Sequence, residues 1–224
     1  MERYEIKAQA KAALHENFGN KMLLFIIPIL YGIFTTGNSI RTHFEQHSNA
    51  TATATLAALG VIGVSLLFTV IIGLIVNIIT VGAIFNYIKI FRKERENPQF
   101  SNIFIPFSDG SWVKILLLSV VKGILVILLT FTIVGIPFAI YLSLGWSQAN
   151  YVLYDQLENG TYHGVMGVLH GSAEVMRGSR GNFFVFLLSF IGWGLLIGIT
   201  SGLVGFWTTP YINMSLVAYY ENLK

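Results

Sequence analysis

Long apolar segments separated by short polar and basic stretches dominate the pattern along this chain. Residues 46–88 and 181–220 contain no charged side chain. A membrane core of ~30 Å is crossed by about 20 helical residues, so these segments are long enough to cross it. Prolines, glycines and polar clusters divide the apolar pattern into predicted spans at 22–37, 56–88, 112–132, 137–154, 183–199 and 203–220. The pattern predicts an all-α polytopic membrane protein, a single membrane domain (1–224) with six transmembrane helices arranged as three hairpins.

Two segments outside these spans have a mixed pattern. In residues 1–21, apolar side chains such as Ile6, Ala10 and Leu14 recur at helical spacing among charged ones, which predicts an amphipathic helix lying on the cytoplasmic surface. Residues 101–111 are too short and too interrupted to cross. They are expected to lie at the membrane interface before the second hairpin.

The apolar run 56–88 is longer than one perpendicular crossing needs, and two interpretations compete. It is either one long, tilted helix or two short spans that break near Gly73. No Pro or polar cluster marks a turn near Gly73, which favours the single helix.

An ungapped shift of 70 residues aligns part of the chain with itself. Residues 117–141 and 187–211 share nine identities in 25 positions, including Gly135 with Gly205 and Tyr141 with Tyr211. Because both units enter from the same face, the sequence predicts a parallel internal repeat of interfacial segment plus helical hairpin.

Composition and charge support a membrane location. Hydrophobic residues make up 54% of the chain and charged ones only 11%, against about 25% in soluble domains. The spans leave no room for a separate soluble catalytic domain, and the absence of Cys excludes disulfides and thiolate metal sites. Most of the basic residues fall on the side of the N-terminus, which predicts that both termini are cytoplasmic. They are Arg3, Lys7, Lys11, Lys21, Lys89, Arg92, Lys93, Arg95, Lys114, Arg177, Arg180 and Lys224.

Lys122 is the one charge within a predicted span, ten residues after Trp112. An ionisable group at that depth indicates a binding site for an anionic ligand or lipid, with Asn77 and Asn213 as candidate polar partners. The alternative is a span that starts nearer Ile115, from which Lys122 snorkels to the interface.

Basic residues at the cytoplasmic rim form a second candidate site, for which anionic lipid headgroups or a protein partner are equally suitable. They are Arg92, Lys93, Arg95, Arg177 and Arg180. The acidic residues of this rim, among them Asp155, Glu158 and Glu174, are expected to be solvated.

Gly194, Gly198 and Gly202 form overlapping GxxxG patterns, which predict close helix packing inside the chain or, alternatively, a homodimer seam. His163, His170 and Glu174 share one helical face but lack a complete zinc pattern. The sequence contains no phosphate loop, nucleophile elbow or paired catalytic carboxylates. We therefore expect no metal site, no cofactor, no nucleic-acid partner and no enzymatic activity.

Several motifs resemble a bacterial integral membrane family catalogued as domain of unknown function 975. The most specific is the run Leu188-Ser189-Phe190-Ile191-Gly192-Trp193. Others are Ser172, Met176, Gly178, Asn97-Pro98, Ser101, Phe104, Phe107, Gly135-Ile136-Pro137, Tyr151-Asp155, Pro210-Tyr211 and Tyr219-Tyr220. The resemblance covers nearly the whole chain and implies a plasma-membrane protein of a Gram-positive bacterium, with no established activity.

Two functions remain compatible with these observations. The first is a non-enzymatic membrane protein that acts by binding, as a scaffold, regulator or lipid-associated accessory of the bacterial envelope. The second is a small permease or immunity-type protein for an amphipathic or anionic solute, with Lys122 at its centre. A continuous polar cavity that reaches Lys122 would favour the second.

Overall fold

The computed structural model describes residues 2–45, 52–131 and 135–224, and side-chain environments within 2–35, 63–131 and 135–224. Helices are the only regular elements of these residues, which confirms the predicted all-α class. They are α1 (Arg3–His15), α2 (Phe18–Leu23), α3 (Ile26–Glu45), α4 (Ala52–Phe91), a 3-10 turn (Phe100–Phe104), α5 (Ile105–Ser108), α6 (Trp112–Thr130), α7 (Gly135–Gly145), α8 (Ala149–Glu158), α9 (Val165–Val175), α10 (Arg180–Leu188), α11 (Ile191–Ile199) and α12 (Gly205–Glu221).

The long apolar run forms one uninterrupted helix, α4, so the structure adopts the single-helix alternative. Gly73 lies inside this helix, and a Cβ placed there would only reach ordinary contact, 3.4 Å from the Tyr31 hydroxyl. Because α4 has no Pro and no turn-forming cluster, nothing interrupts its backbone hydrogen bonds.

Three segments among the described residues are helical, long and apolar enough to cross a membrane: Gly63–Phe91, Trp112–Thr130 and Arg180–Ile199. The third contains α10 and α11, which meet in a turn at Ser189 and Phe190. The described part of α7 has 11 residues and α12 has 17, whereas a perpendicular crossing usually takes about 20. The six-span hairpin topology and the repeat stay predictions.

Two predicted spans differ in detail from the structure. Residues 137–154 are divided between α7 and α8 by a turn at Trp146–Gln148, and the side chains of α8 are largely buried within the protein. Residues 22–37 begin at the end of α2 and pass through the turn between α2 and α3, where Leu24 and Phe25 are fully buried. Leu24 and Phe25 in one turn and Gln148 in the other are thus buried by protein.

The core occupies one end of the bundle. The part of α4 from residue 78 to 90 is almost entirely buried, whereas apolar residues between 63 and 75 are exposed. Tyr87 lies at the centre of this core. Its ring packs edge-on against Phe25, with 4.9 Å between the ring centroids, and its hydroxyl donates to the Lys21 carbonyl at 2.9 Å. The core therefore lies where α4 ends, beside α8, α12 and α1.

The N-terminal helix packs against the C-terminal one. α1 buries Ile6, Ala10 and Leu14 on one face, and its main partner is α12. Asn222 donates to Gln9 at 2.8 Å, which connects the two ends of the chain. The apolar face that suggested a surface-lying helix is thus covered by protein.

Candidate functional site

Arg92, at the end of α4, binds carboxylates from two other helices. Its guanidinium lies 2.5 Å from Asp155 Oδ1, 2.9 Å from Glu158 Oε2 and 2.8 Å from Glu221 Oε1. The side chains of Arg92, Asp155 and Glu221 are 19%, 16% and 17% exposed, so water weakens these pairs less than pairs on an open surface. These contacts join the ends of α4, α8 and α12, the part of the protein that we call the polar end.

Asp155 is the centre of this network. It accepts hydrogen bonds from Arg92, from the Tyr220 hydroxyl at 2.6 Å, and from the Lys224 ammonium. Burial alone would raise the pKa of Asp155, but the hydrogen bonds from Lys224, Tyr220 and Arg92 outweigh it and hold the pKa below its usual value. The structure thus differs from the expectation of a solvated rim acid.

The lowered pKa of Asp155 predicts a loss of stability in acid. A carboxyl with a depressed folded-state pKa contributes stability that is complete above the unfolded pKa, about 3.9, and is lost as pH falls through the lower folded pKa. Thermal unfolding between pH 7 and pH 2 should therefore show a steeper decline below about pH 4 in wild type than in Asp155→Asn. Glu174→Gln, at a side chain 57% exposed, should keep the wild-type profile. Equally steep profiles for wild type and Asp155→Asn would contradict a lowered pKa of Asp155 in the folded protein.

A second polar cluster attaches the segment after α4 to α4 itself. Asn86, which is 3% exposed, donates to the carbonyls of Gly82 at 2.8 Å and Asn102 at 3.1 Å, and accepts from Arg95. At Gly82 the 3-10 turn approaches so closely that a Cβ would lie 2.3 Å from the Ile103 carbonyl oxygen. Arg95 therefore helps to hold this turn in place.

Arg180, the first residue of α10, has a different environment. Its guanidinium carbon lies 4.0 Å from the centroid of the Tyr141 ring on α7. It makes no hydrogen bond or ion pair with any residue that the structure describes, and its Nε and Nη1 atoms are closed to solvent without a partner. Gly145 makes room for it, since a Cβ there would lie 3.0 Å from Nη2. Buried donors of a charged group are normally paired with an acceptor. The Nε and Nη1 donors of Arg180 lack such an acceptor among the described residues.

A cavity of about 460 Å³ opens beside Arg180, between α7, α9 and α10. It is lined by Tyr141, His170, Ala173, Glu174, Arg177, Gly178, Arg180 and Gly181. The single acid, Glu174, makes only long contacts, 3.9 Å to His170 and 4.0 Å to Arg177. With His170 neutral, these side chains sum to one net positive charge, which makes the cavity suitable for an anion.

Lys122 is half-buried on α6 and has no hydrogen-bond, ion-pair or ring partner among the residues with described side chains. One turn earlier, Ser119 donates to Asn77 of α4 at 2.7 Å. Asn213, the other candidate partner, donates to the Thr209 carbonyl of its own helix. Asn77 and Asn213 thus make their hydrogen bonds with other groups.

The basic residues of the predicted rim site occupy three environments. Arg92 binds carboxylates and Arg95 binds Asn86, whereas Arg177 and Arg180 share the cavity described above. Lys93 is exposed and, with Arg95, lines a separate cavity of about 570 Å³ next to α1. Among these five cations, Arg177 and Arg180 therefore share a cavity, and the guanidinium of Arg180 has no hydrogen-bond or ion-pair partner among the described residues.

The glycines of the GxxxG patterns differ from one another. A Cβ on Gly194 or Gly198 would meet no described atom within 4 Å, whereas one on Gly202 would lie 2.6 Å from Ile33 Cγ1. Gly202 also has a φ of 94°, a conformation that favours glycine. Close packing within the described residues is thus found at Gly202, and the homodimer seam at Gly194 and Gly198 stays a prediction.

Sequence reasoning missed several residues of these sites. Tyr141 and Gly145 position Arg180, and Glu221 binds Arg92, yet none belongs to a recognisable motif. Each meets its partner across 35 residues or more of chain, and only the folded structure shows the contact. In the part of the chain that the structure describes, no three His, Asp or Glu side chains are placed to hold a metal ion.

Comparison with known proteins identifies one family. A family model described as "Protein of unknown function (DUF975)" matches residues 1–145 and 119–224, which together cover the chain. This match confirms the family resemblance seen in the sequence. No curated protein and no solved structure matches the chain.

Proposed function

Because the chain belongs to the DUF975 family, whose function is unknown, we propose that it is an integral membrane protein that acts by binding anionic lipid headgroups at its polar end. In this role it is a scaffold, regulator or lipid-associated accessory of a bacterial envelope, and not an enzyme. Its proposed location is the plasma membrane of a Gram-positive bacterium, with six spans and both termini in the cytoplasm. A protein partner on the same face is compatible with this role.

The exposed apolar surface supports a membrane location. Large side chains along the first half of the described part of α4 are 44% to 65% exposed, and those of α11 and the end of α6 are similarly open. On α4 they are Val64, Leu66, Leu67, Phe68, Val70, Ile71, Ile72 and Ile75. A continuous apolar surface of this kind is unusual on a soluble monomer but suits contact with lipid chains.

The positions of the cavities favour binding over transport. Three cavities are lined by residues at or next to the polar end, such as Tyr219 and Asn222, Phe91 and Lys93, and Lys89 and Tyr154. The fourth, lined by Gly178 and Arg180, adjoins Ser179, whose carbonyl accepts a hydrogen bond from the Tyr219 hydroxyl of α12 at 3.4 Å. Lys122 lines none of these four. Cationic cavities at the polar end suit headgroup binding, because each cation near an anionic lipid surface contributes about 1 kcal/mol.

One observation favours a second candidate, a small permease for an anionic or amphipathic solute. Lys122 lies within the apolar segment Trp112–Thr130 without a partner among the residues with described side chains. An unpartnered cation in a span is a candidate solute-binding group.

Lys122→Met separates the two candidates. Methionine keeps the length and apolar bulk of lysine, and removing an unpartnered cation should leave the thermal stability of the detergent-purified protein equal or higher. If headgroups bind at the polar end, phosphatidylglycerol should raise the melting temperature of wild type and Lys122→Met equally, relative to phosphatidylcholine. The exposed Lys11, which lines none of the four cavities, provides a matched control, Lys11→Met. Loss of the lipid-induced shift in Lys122→Met alone would contradict polar-end binding and support the permease.

A further inference from the structure

We infer that the cavity between α7, α9 and α10 is a phosphate site that holds the phosphate of an anionic lipid headgroup on Arg180, with Arg177 closing over it. This inference rests on the proposed function and specifies where the headgroup binds. Free inorganic phosphate has the same chemistry, so the test separates the two sources.

Arg180 presents an unpartnered guanidinium at this cavity. Arg180 is held between the Tyr141 ring and Gly145, and all of its donors lack a partner among the described residues. Nε and Nη1 are closed to solvent, whereas Nη2 is not among the closed atoms, and Arg180 is one of the residues that line the cavity. A guanidinium fixed in one orientation with a free donor is suited to an oxyanion, because little further ordering is needed when it binds.

The charged side chains around the cavity also favour an anion. Arg177, whose side chain is 79% exposed, is close enough to line the same cavity and free enough to move onto a ligand. Glu174 lies 4.0 Å from it and is also exposed, so an incoming phosphate competes with a weak, solvated pair. His170 adds a further donor to the same wall. Two arginines on one oxyanion are a common arrangement for phosphate recognition.

Exposed aromatic side chains indicate the source of the phosphate. Phe138 on α7 is 56% exposed and Phe184 on α10 is 46% exposed, and each lies about one helical turn from a cavity-lining residue, Tyr141 or Gly181. A lipid whose phosphate lies on Arg180 could therefore place its chains against apolar side chains. A free phosphate ion would gain nothing from them. The surroundings accordingly favour a lipid.

Gly145→Ala provides the sharpest test because it changes no charge. Its Cβ would lie 3.0 Å from Arg180 Nη2 and 3.2 Å from Cζ, so the guanidinium must move. Gly192→Ala is the matched control, since a Cβ there would meet no described atom within 4 Å. Arg180→Gln removes the positive charge and the planar guanidinium. Lys11→Gln removes an exposed cation of α1 that lines none of the four cavities.

The measurement is the melting temperature of the full chain in neutral detergent, titrated with phosphatidylglycerol, phosphatidylcholine, inorganic phosphate or a carboxylate-bearing hemisuccinate lipid. We expect phosphatidylglycerol to stabilise wild type, Gly192→Ala and Lys11→Gln alike. Its apparent Kd should rise about tenfold in Arg180→Gln, the loss of one charge-assisted hydrogen bond, and several-fold in Gly145→Ala.

Each contrary result has a distinct meaning. If phosphatidylglycerol stabilises all variants equally, the cavity assignment is overturned while headgroup binding at the polar end stands. If it does not stabilise wild type more than phosphatidylcholine does, both proposals fail. An equal shift from inorganic phosphate would overturn the lipid source, and an equal shift from the hemisuccinate lipid would overturn the preference for phosphate.

Discussion

Replacing Arg92 by methionine should lower the free energy of unfolding by about 3 kcal/mol, since it removes one partner of a partly buried ionic network. Asp155 and Glu221, which are 16% and 17% exposed in the wild type, would keep only Lys224 as a nearby cation among the described residues. Each would then bear a desolvation cost that the guanidinium now offsets. The measurement is reversible unfolding in detergent micelles, or the melting temperature where unfolding is irreversible.

The neighbouring residue supplies the control for Arg92. Lys93→Met removes one positive charge from an exposed position and should change stability by no more than about 0.5 kcal/mol. Adding Glu221→Gln to Arg92→Met should recover part of the loss, because it removes one of the stranded carboxylates. Similar losses in Arg92→Met and Lys93→Met would show that the network does not stabilise the fold.

Gly82→Ala is expected to have the second largest effect, a loss of about 2 kcal/mol from overpacking. The new methyl group would lie 2.3 Å from the Ile103 carbonyl oxygen and 3.2 Å from Pro106 Cγ. The first of these is backbone, so the 3-10 turn must move away from α4. That movement would stretch the hydrogen bond from Asn86 to the Asn102 carbonyl.

Two measurements and one control test the Gly82 contact. The melting temperature should fall, and limited proteolysis should cut between residues 97 and 108 faster than in wild type. Gly123→Ala, where a Cβ would meet no described atom within 4 Å, should be neutral or slightly stabilising because alanine favours helix. If Gly82→Ala is as stable and as resistant as Gly123→Ala, the close approach does not stabilise the protein.

The sequence predicted those features that depend on local pattern. The continuity of α4 follows from an uncharged, mostly apolar run of 33 residues without Pro or a turn cluster. The start of α6 at Trp112 follows from an interfacial aromatic residue with a nearby lysine. The division of 137–154 was missed because Trp146-Ser147-Gln148 is a weak turn signal within an apolar stretch. The burial of α8 arises from its contacts with α4 and α9, which no local pattern records.

The candidate site was predicted by residue type but not by arrangement. Arg92 and Arg180 are both arginines next to apolar segments, and nothing local distinguishes them. In the structure Arg92 meets Glu221, which is 129 residues away, whereas Arg180 meets the face of an aromatic ring. Whether a cation is neutralised within the fold or available to a ligand depends on such long-range contacts.

The packing of α1 on α12 also sets an order of events during synthesis. The apolar face of α1 leaves the ribosome first, but its partner begins at Gly205, 190 residues after α1 ends at His15. At 5–20 residues per second the nascent chain waits roughly 10–40 s for that partner. During this interval Ile6, Ala10 and Leu14 have no α12 to cover them. The packing of α1 therefore follows the synthesis of α12, and a chain truncated before Gly205 would leave the apolar face of α1 without its main partner.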